Sequence, residues 1–148
     1  MFRNILLPVD LTPKNLSAVQ IAADLARASG GGVVLLHVIE TLDLPFEELR
    51  EFYDRLESKA VAHMDGLADA LERAGVPFEA HVVYGDRTER IVAFARARES
   101  DLIVMDSHRV EPGKPGRGPT TISYRVAIVA ECPVLLIKGA GRRGRKDA

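Results

Sequence analysis

The chain has 148 residues, is 47% hydrophobic and 28% charged, and carries a net charge of −1. That length and balance fit one globular domain of ordinary soluble composition, and give the body of the chain no basic excess to attract a polyanion. The single cysteine, Cys132, excludes an intrachain disulfide framework, and no apolar run approaches the length that crosses a bilayer.

Met1 leads straight into NILLPV (4–9), a continuous apolar run that reads as a strand buried on both faces. No signal-peptide pattern precedes it, so the expected location is the cytoplasm. Thr12 and Pro13 form an N-cap and first-turn pair for a helix with Leu16, Val19, Ala23 and Ala26 on one face. Three glycines at 30–32 stop it, since glycine accepts the left-handed cap conformation. GVVLLHVI (32–39) is a second buried strand. The longest helix follows, from Pro45 to Ala74, with Leu49, Phe52, Leu56, Ala60, Met64, Leu67 and Leu71 as its apolar stripe. FEAHVVY (78–84) alternates, which suits a strand nearer an edge. Asp86 and Glu89 form a capping-box-like pair opening a third helix, with Ile91, Val92 and Ala95 inward. DLIVM (101–105) is a fourth strand. Thr120 or Thr121 can cap a fourth helix carrying Ile122, Val126 and Val129, and PVLLIK (133–138) is the fifth strand.

Strands alternating with helices predict an α/β fold: a single doubly wound, five-stranded parallel sheet with helices on both faces. The domain is expected to span 1–138, followed by a basic tail at 139–148 that reads as solvated. Without interleaved aromatics, that tail gives little reason to expect a nucleic-acid partner. In such sheets ligands bind beyond the carboxyl ends of the strands, where strand order reverses.

Asp10 ends the first strand. Its carboxylate can serve a ligand or cap the following turn through Thr12 or Lys14. His37, inside a strand, reads as a packed histidine with one nitrogen hydrogen-bonded. His63, His81 and His108 are scattered without metal-ligand spacing. Cys132 reads as a structural thiol. Ser107 and His108 are chain neighbours without a third group, and neither a nucleophile elbow nor a P-loop is present, so no catalytic residue is assigned. Asp10 with Lys138 after the last strand suggests a phosphoryl-accepting regulator, but PVDLTP lacks the second acid that such a site needs.

NILLPVDLTPKNLSAVQIAADLARASGGGVVLLHVIE, VYGDRTERIVAFA, ESDLIVMDSH and VAIVAECPVLLIK together resemble the universal stress protein family of the UspA type, from about Ile5 to Lys138. The resemblance implies a Rossmann-like fold of the adenine nucleotide alpha hydrolase kind. It also implies a homodimer paired through the last strands, here Val134, Leu135, Leu136 and Ile137, and a role in the stress response without an established reaction. Part of that family binds ATP through Gly-x-x-Gly after the fourth strand and Gly-Ser/Thr nine residues later. Here those positions hold Asp106, Arg109 and Thr120–Thr121, while Gly113, Gly116 and Gly118 are out of register and Pro112, Pro115 and Pro119 remove N–H donors. What remains for a ligand is Pro8, Val9, Asp10 and Val38, with Met105, Ser107, His108, Arg109, Thr120 and Thr121 around the fourth strand. Arg109, Lys114 and Arg117 could hold a small anion as side-chain charges. The expectation is a stress protein that does not bind ATP tightly. The alternative is a nucleotide-binding switch with slow or no hydrolysis.

Overall fold

Five short apolar runs become five strands in the computed structural model, which describes residues 1–107 and 121–138. The strands are β1 (Asn4–Pro8), β2 (Gly32–Glu40), β3 (Phe78–Gly85), β4 (Leu102–Ser107) and β5 (Val134–Lys138). The helices are α1 (Asn15–Ser29), α2 (Arg50–Arg73), α3 (Arg87–Ala97) and α4 (Ile122–Val129). Every strand pair is parallel, in the order β3-β2-β1-β4-β5. The expected doubly wound sheet is therefore present, with alternating β3 at one edge and β5 at the other.

Alternate side chains of the central strands feed two cores. Ile5, Leu7, Leu35 and Val104 pack against α1 and α2, while Leu6, Leu36, Ile103 and Met105 pack against α3 and α4. The glycine run works in two ways. Gly30 adopts φ 67° and caps α1, whereas a Cβ at Gly31 would lie 2.4 Å from the Arg3 backbone, so the close approach of α1's exit to β1 requires glycine. Asp101 ties the same end of the sheet: its carboxylate accepts the backbone N–H groups of Arg3 at 2.8 Å and Asn4 at 3.0 Å.

Asp86 caps α3 by accepting from the Glu89 N–H at 2.9 Å, and Thr121 caps α4 by accepting from the Tyr124 N–H at 3.3 Å. Other expectations need correction. Thr12 does not cap α1, which starts at Asn15. Leu16 is exposed and Asn15 takes the buried position beside it. The region read as one long helix from Pro45 opens with a 3-10 turn, Phe46–Leu49, before α2. Within α2, Tyr53 is buried beneath Phe46 and Tyr84, while the stripe residue Phe52 is exposed. Val129 ends α4 facing outward. Among the described residues no helix is long and apolar enough to cross a membrane.

Candidate functional site

The sheet changes winding direction between β1 and β4, and a cavity of about 90 Å³ opens over the carboxyl ends of those strands. Pro8, Val9 and Asp10 of the β1 exit line it, with Leu36 and Val38 of β2 and Met105 and Asp106 of β4. Helix side chains complete the walls: Asn15 of α1, Arg87 and Ile91 of α3, and Ile122 and Ser123 of α4. Its volume is below the roughly 300–1,000 Å³ common for small-molecule sites.

Leu11 follows Asp10 with φ 63°, a left-handed backbone that turns the chain back on itself. The turn lets Asp10 Oδ1 accept from the Thr12 N–H at 3.1 Å and the Thr12 hydroxyl at 2.7 Å, so the turn-capping role is realised. Burial raises the Asp10 pKa, but hydrogen bonds from Thr12 and Asn15 outweigh it and hold the carboxyl below its usual 3.8. Asp10 is thus ionised at neutral pH.

Asn15 is the polar centre of the site. It is 1% exposed, its Nδ2 donates to Asp106 Oδ2 at 2.8 Å, and its Oδ1 lies 3.3 Å from His63 Nε2 on α2. Its side chain therefore links α1, α2 and β4. His37 is buried and its Nδ1 donates to the Val9 carbonyl at 2.8 Å, the packed arrangement expected of it. Burial is the main cause of its lowered pKa, which leaves the ring neutral at pH 7. Arg87 places a guanidinium on the wall, 3.7 Å from the Glu40 carboxylate.

Of the residues expected to serve a ligand, Pro8, Val9, Asp10, Val38 and Met105 converge on this cavity. Ser107 accepts from Lys138 Nζ at 3.1 Å, and Thr121 acts as the α4 cap. His108, Arg109 and Thr120 lie outside the described residues, as does the rest of the loop through Pro119. Asn15, Arg87, Ile91, Ile122 and Ser123 are additions to the site. Their sequence signal was weak, because a polar residue in a first helical turn or an arginine after an N-cap ordinarily faces water. Asp106 enters as a lining side chain where a glycine would have left backbone.

Cys132 is half-buried, and burial pushes its thiol pKa up, in keeping with an unreactive role. No group of three or more His, Cys, Asp or Glu residues able to hold a metal occurs among the described residues.

The family profile described as "Universal stress protein family" matches residues 1–138. A curated relative, Universal stress protein MJ0531 of Methanocaldococcus jannaschii, is 26% identical over 145 residues, covering 93% of this chain and 83% of the relative. Among solved structures, hypothetical protein MJ0577 is 26% identical with a TM-score of 0.77, over 93% of this chain and 96% of the other. A universal stress protein family protein from Arabidopsis thaliana, solved with AMP bound, shares the fold with a TM-score of 0.68 at 20% identity, over 91% and 90% of the two chains.

Proposed function

This chain belongs to the universal stress protein family, and on that premise we propose that it supports the cellular stress response as a non-catalytic homodimer that does not hold ATP tightly. The observation that carries the reading is Asp106 on the cavity wall, at a position where a glycine would admit phosphate. A phosphate chain entering there meets a carboxylate where backbone N–H donors serve better. One unit-charge pair at 4 Å costs about 1 kcal/mol in bulk water and about 4 kcal/mol at an effective dielectric of 20. The small cavity volume acts in the same direction.

The dimer is proposed through β5. Val134, Leu135, Leu136 and Ile137 form an edge strand that pairs only with β4 among the described residues. Leu135 is exposed on it, and Tyr124, Ile128 and Val129 add exposed apolar surface on neighbouring α4. A parallel edge of that composition is stabilised by a partner strand.

The purified protein, assayed by absorbance and mass spectrometry, is expected to carry no stoichiometric nucleotide. Near-equimolar ATP or AMP would overturn the reading. It would favour the second one, a nucleotide-binding switch with at most weak ATPase activity. That alternative draws on the cavity's position at the winding reversal, on Arg87 as a cation in its wall, and on AMP in the Arabidopsis relative.

A further inference from the structure

Away from the cavity, the segment joining β2 to α2 has an unusual construction. Tyr53 is 1% exposed and forms the floor of an aromatic group. Phe46 stacks on it at 5.0 Å with planes 10° apart, Phe52 leans against it at 5.7 Å, and Tyr84 meets Phe46 and Tyr53 edge-on at 5.8 Å. The Tyr53 hydroxyl accepts from the Leu42 backbone N–H at 2.9 Å, and the Tyr84 hydroxyl donates to Glu57 at 2.9 Å. These contacts hold the segment in one place. Yet Leu42 and Leu44 are each 55% exposed, Phe46 is 46% and Phe52 is 40%. Half-exposed aromatics fixed from below are pre-ordered anchors, which lose little freedom when a partner covers them.

Charge defines the partner. Residues 40–57 hold seven acids against Arg50 and Arg55, in a chain whose total charge is −1. Glu47 lies 3.8 Å from Arg50 and Glu40 3.7 Å from Arg87, while Asp43, Glu48, Glu51 and Asp54 make no ion pair among the described residues. Such a rim repels nucleic acid and anionic lipid. A second copy docking the same patch face to face would oppose like charges. The β5 edge lies at the far end of the sheet from β3, so pairing there leaves this face open.

We propose that Leu42, Leu44, Phe46 and Phe52, on a segment that also carries Asp43, Glu48, Glu51 and Asp54, form a docking surface for a basic amphipathic helical segment of a partner protein. Leucine-like side chains on one stripe of that segment cover the exposed aromatics, and its flanking Lys or Arg side chains meet the acid rim. The surface is independent of whether the cavity holds nucleotide.

The test is fluorescence anisotropy of a labelled 14-residue Leu/Lys amphipathic peptide titrated with the full chain. Saturable 1:1 binding is expected, weakening as salt is raised from 50 to 300 mM and absent for the matching Leu/Glu peptide. Phe52→Ser should weaken it roughly tenfold or more. The double variant Glu48→Lys with Glu51→Lys, which leaves the aromatic floor untouched, should weaken it too. No saturable binding, or binding unchanged in both variants, would overturn the proposal. So would equal binding of a Ser/Lys peptide of the same charge, or tighter binding of a peptide of residues 139–148. Capture on phosphatidylglycerol vesicles that Phe52→Ser abolishes would assign the face to lipid. Self-association in sedimentation that Phe52→Ser abolishes would assign it to a second copy.

Discussion

Replacing Asn15 with alanine should destabilise the fold by about 2–3 kcal/mol. Asn15 is 1% exposed, and its Nδ2 donates at 2.8 Å to a carboxylate that lines the cavity. A hydrogen bond to a charged acceptor contributes roughly 1.5–3 kcal/mol, and the longer 3.3 Å contact with His63 no more than about 1 kcal/mol. Alanine recovers about 0.5 kcal/mol through its better helix propensity. For a domain of this size the net loss lowers Tm by roughly 5–10 °C. Urea unfolding at fixed protein concentration, followed by circular dichroism, measures it directly. Asn15→Asp should be at least as damaging at pH 7, because it adds a carboxylate beside Asp106 and Asp10. A loss below about 0.5 kcal/mol for Asn15→Ala, or an Asn15→Asp variant as stable as the parent at pH 7, would refute the idea that Asn15 holds an acidic site together.

Asp101→Ala removes the acceptor of two backbone N–H groups that water can partly satisfy, and should cost about 1–2 kcal/mol in urea unfolding. Asp10 has a folded pKa below 3.8, so its contribution is fully present above that value and is lost as pH falls through the folded pKa. The stability gap between the parent and Asp10→Asn should therefore narrow as pH falls below 3.8; a gap that stays constant through acid titration would contradict this assignment. If the proposed pairing through β5 forms, Leu135→Asp on its exposed face should leave only monomer in sedimentation velocity with the circular dichroism spectrum unchanged, and a parent that is itself monomeric would contradict the proposed dimer.

Strands were legible wherever both faces are buried, because the runs ILLPV (5–9) and LIVM (102–105) have no polar residue to misplace. Capping was legible where one side chain meets a nearby N–H, as at Asp86 and Thr121. Helix phase was less so. Phe52 and Tyr53 are chain neighbours near the same apolar stripe of α2, and Tyr53 is the buried one because Phe46 and Tyr84, from outside that helix, cover it. Thr12 followed by Pro13 carried every local mark of a helix start, but Asp10 took the Thr12 N–H and hydroxyl into its own turn. The candidate site split along the same line. Residues at strand ends, such as Asp10, Val38 and Met105, follow from topology alone. Asn15 and Arg87 do not, because what makes them part of the site is the approach of β4 and β2 from distant parts of the chain. Asp106 was legible as a departure from a glycine, and its bond to Asn15 was not.

Calorimetric titration of the parent protein with magnesium ATP, beside the Asp106→Gly variant, tests whether Asp106 keeps the cavity from holding ATP tightly. The parent should give no saturable heat at micromolar ATP, and Asp106→Gly, which removes the opposing charge, should bind more tightly than the parent by at least about fivefold, the equivalent of roughly 1 kcal/mol. One-to-one binding of ATP by the parent at micromolar concentration, unaffected or weakened by Asp106→Gly, would contradict it.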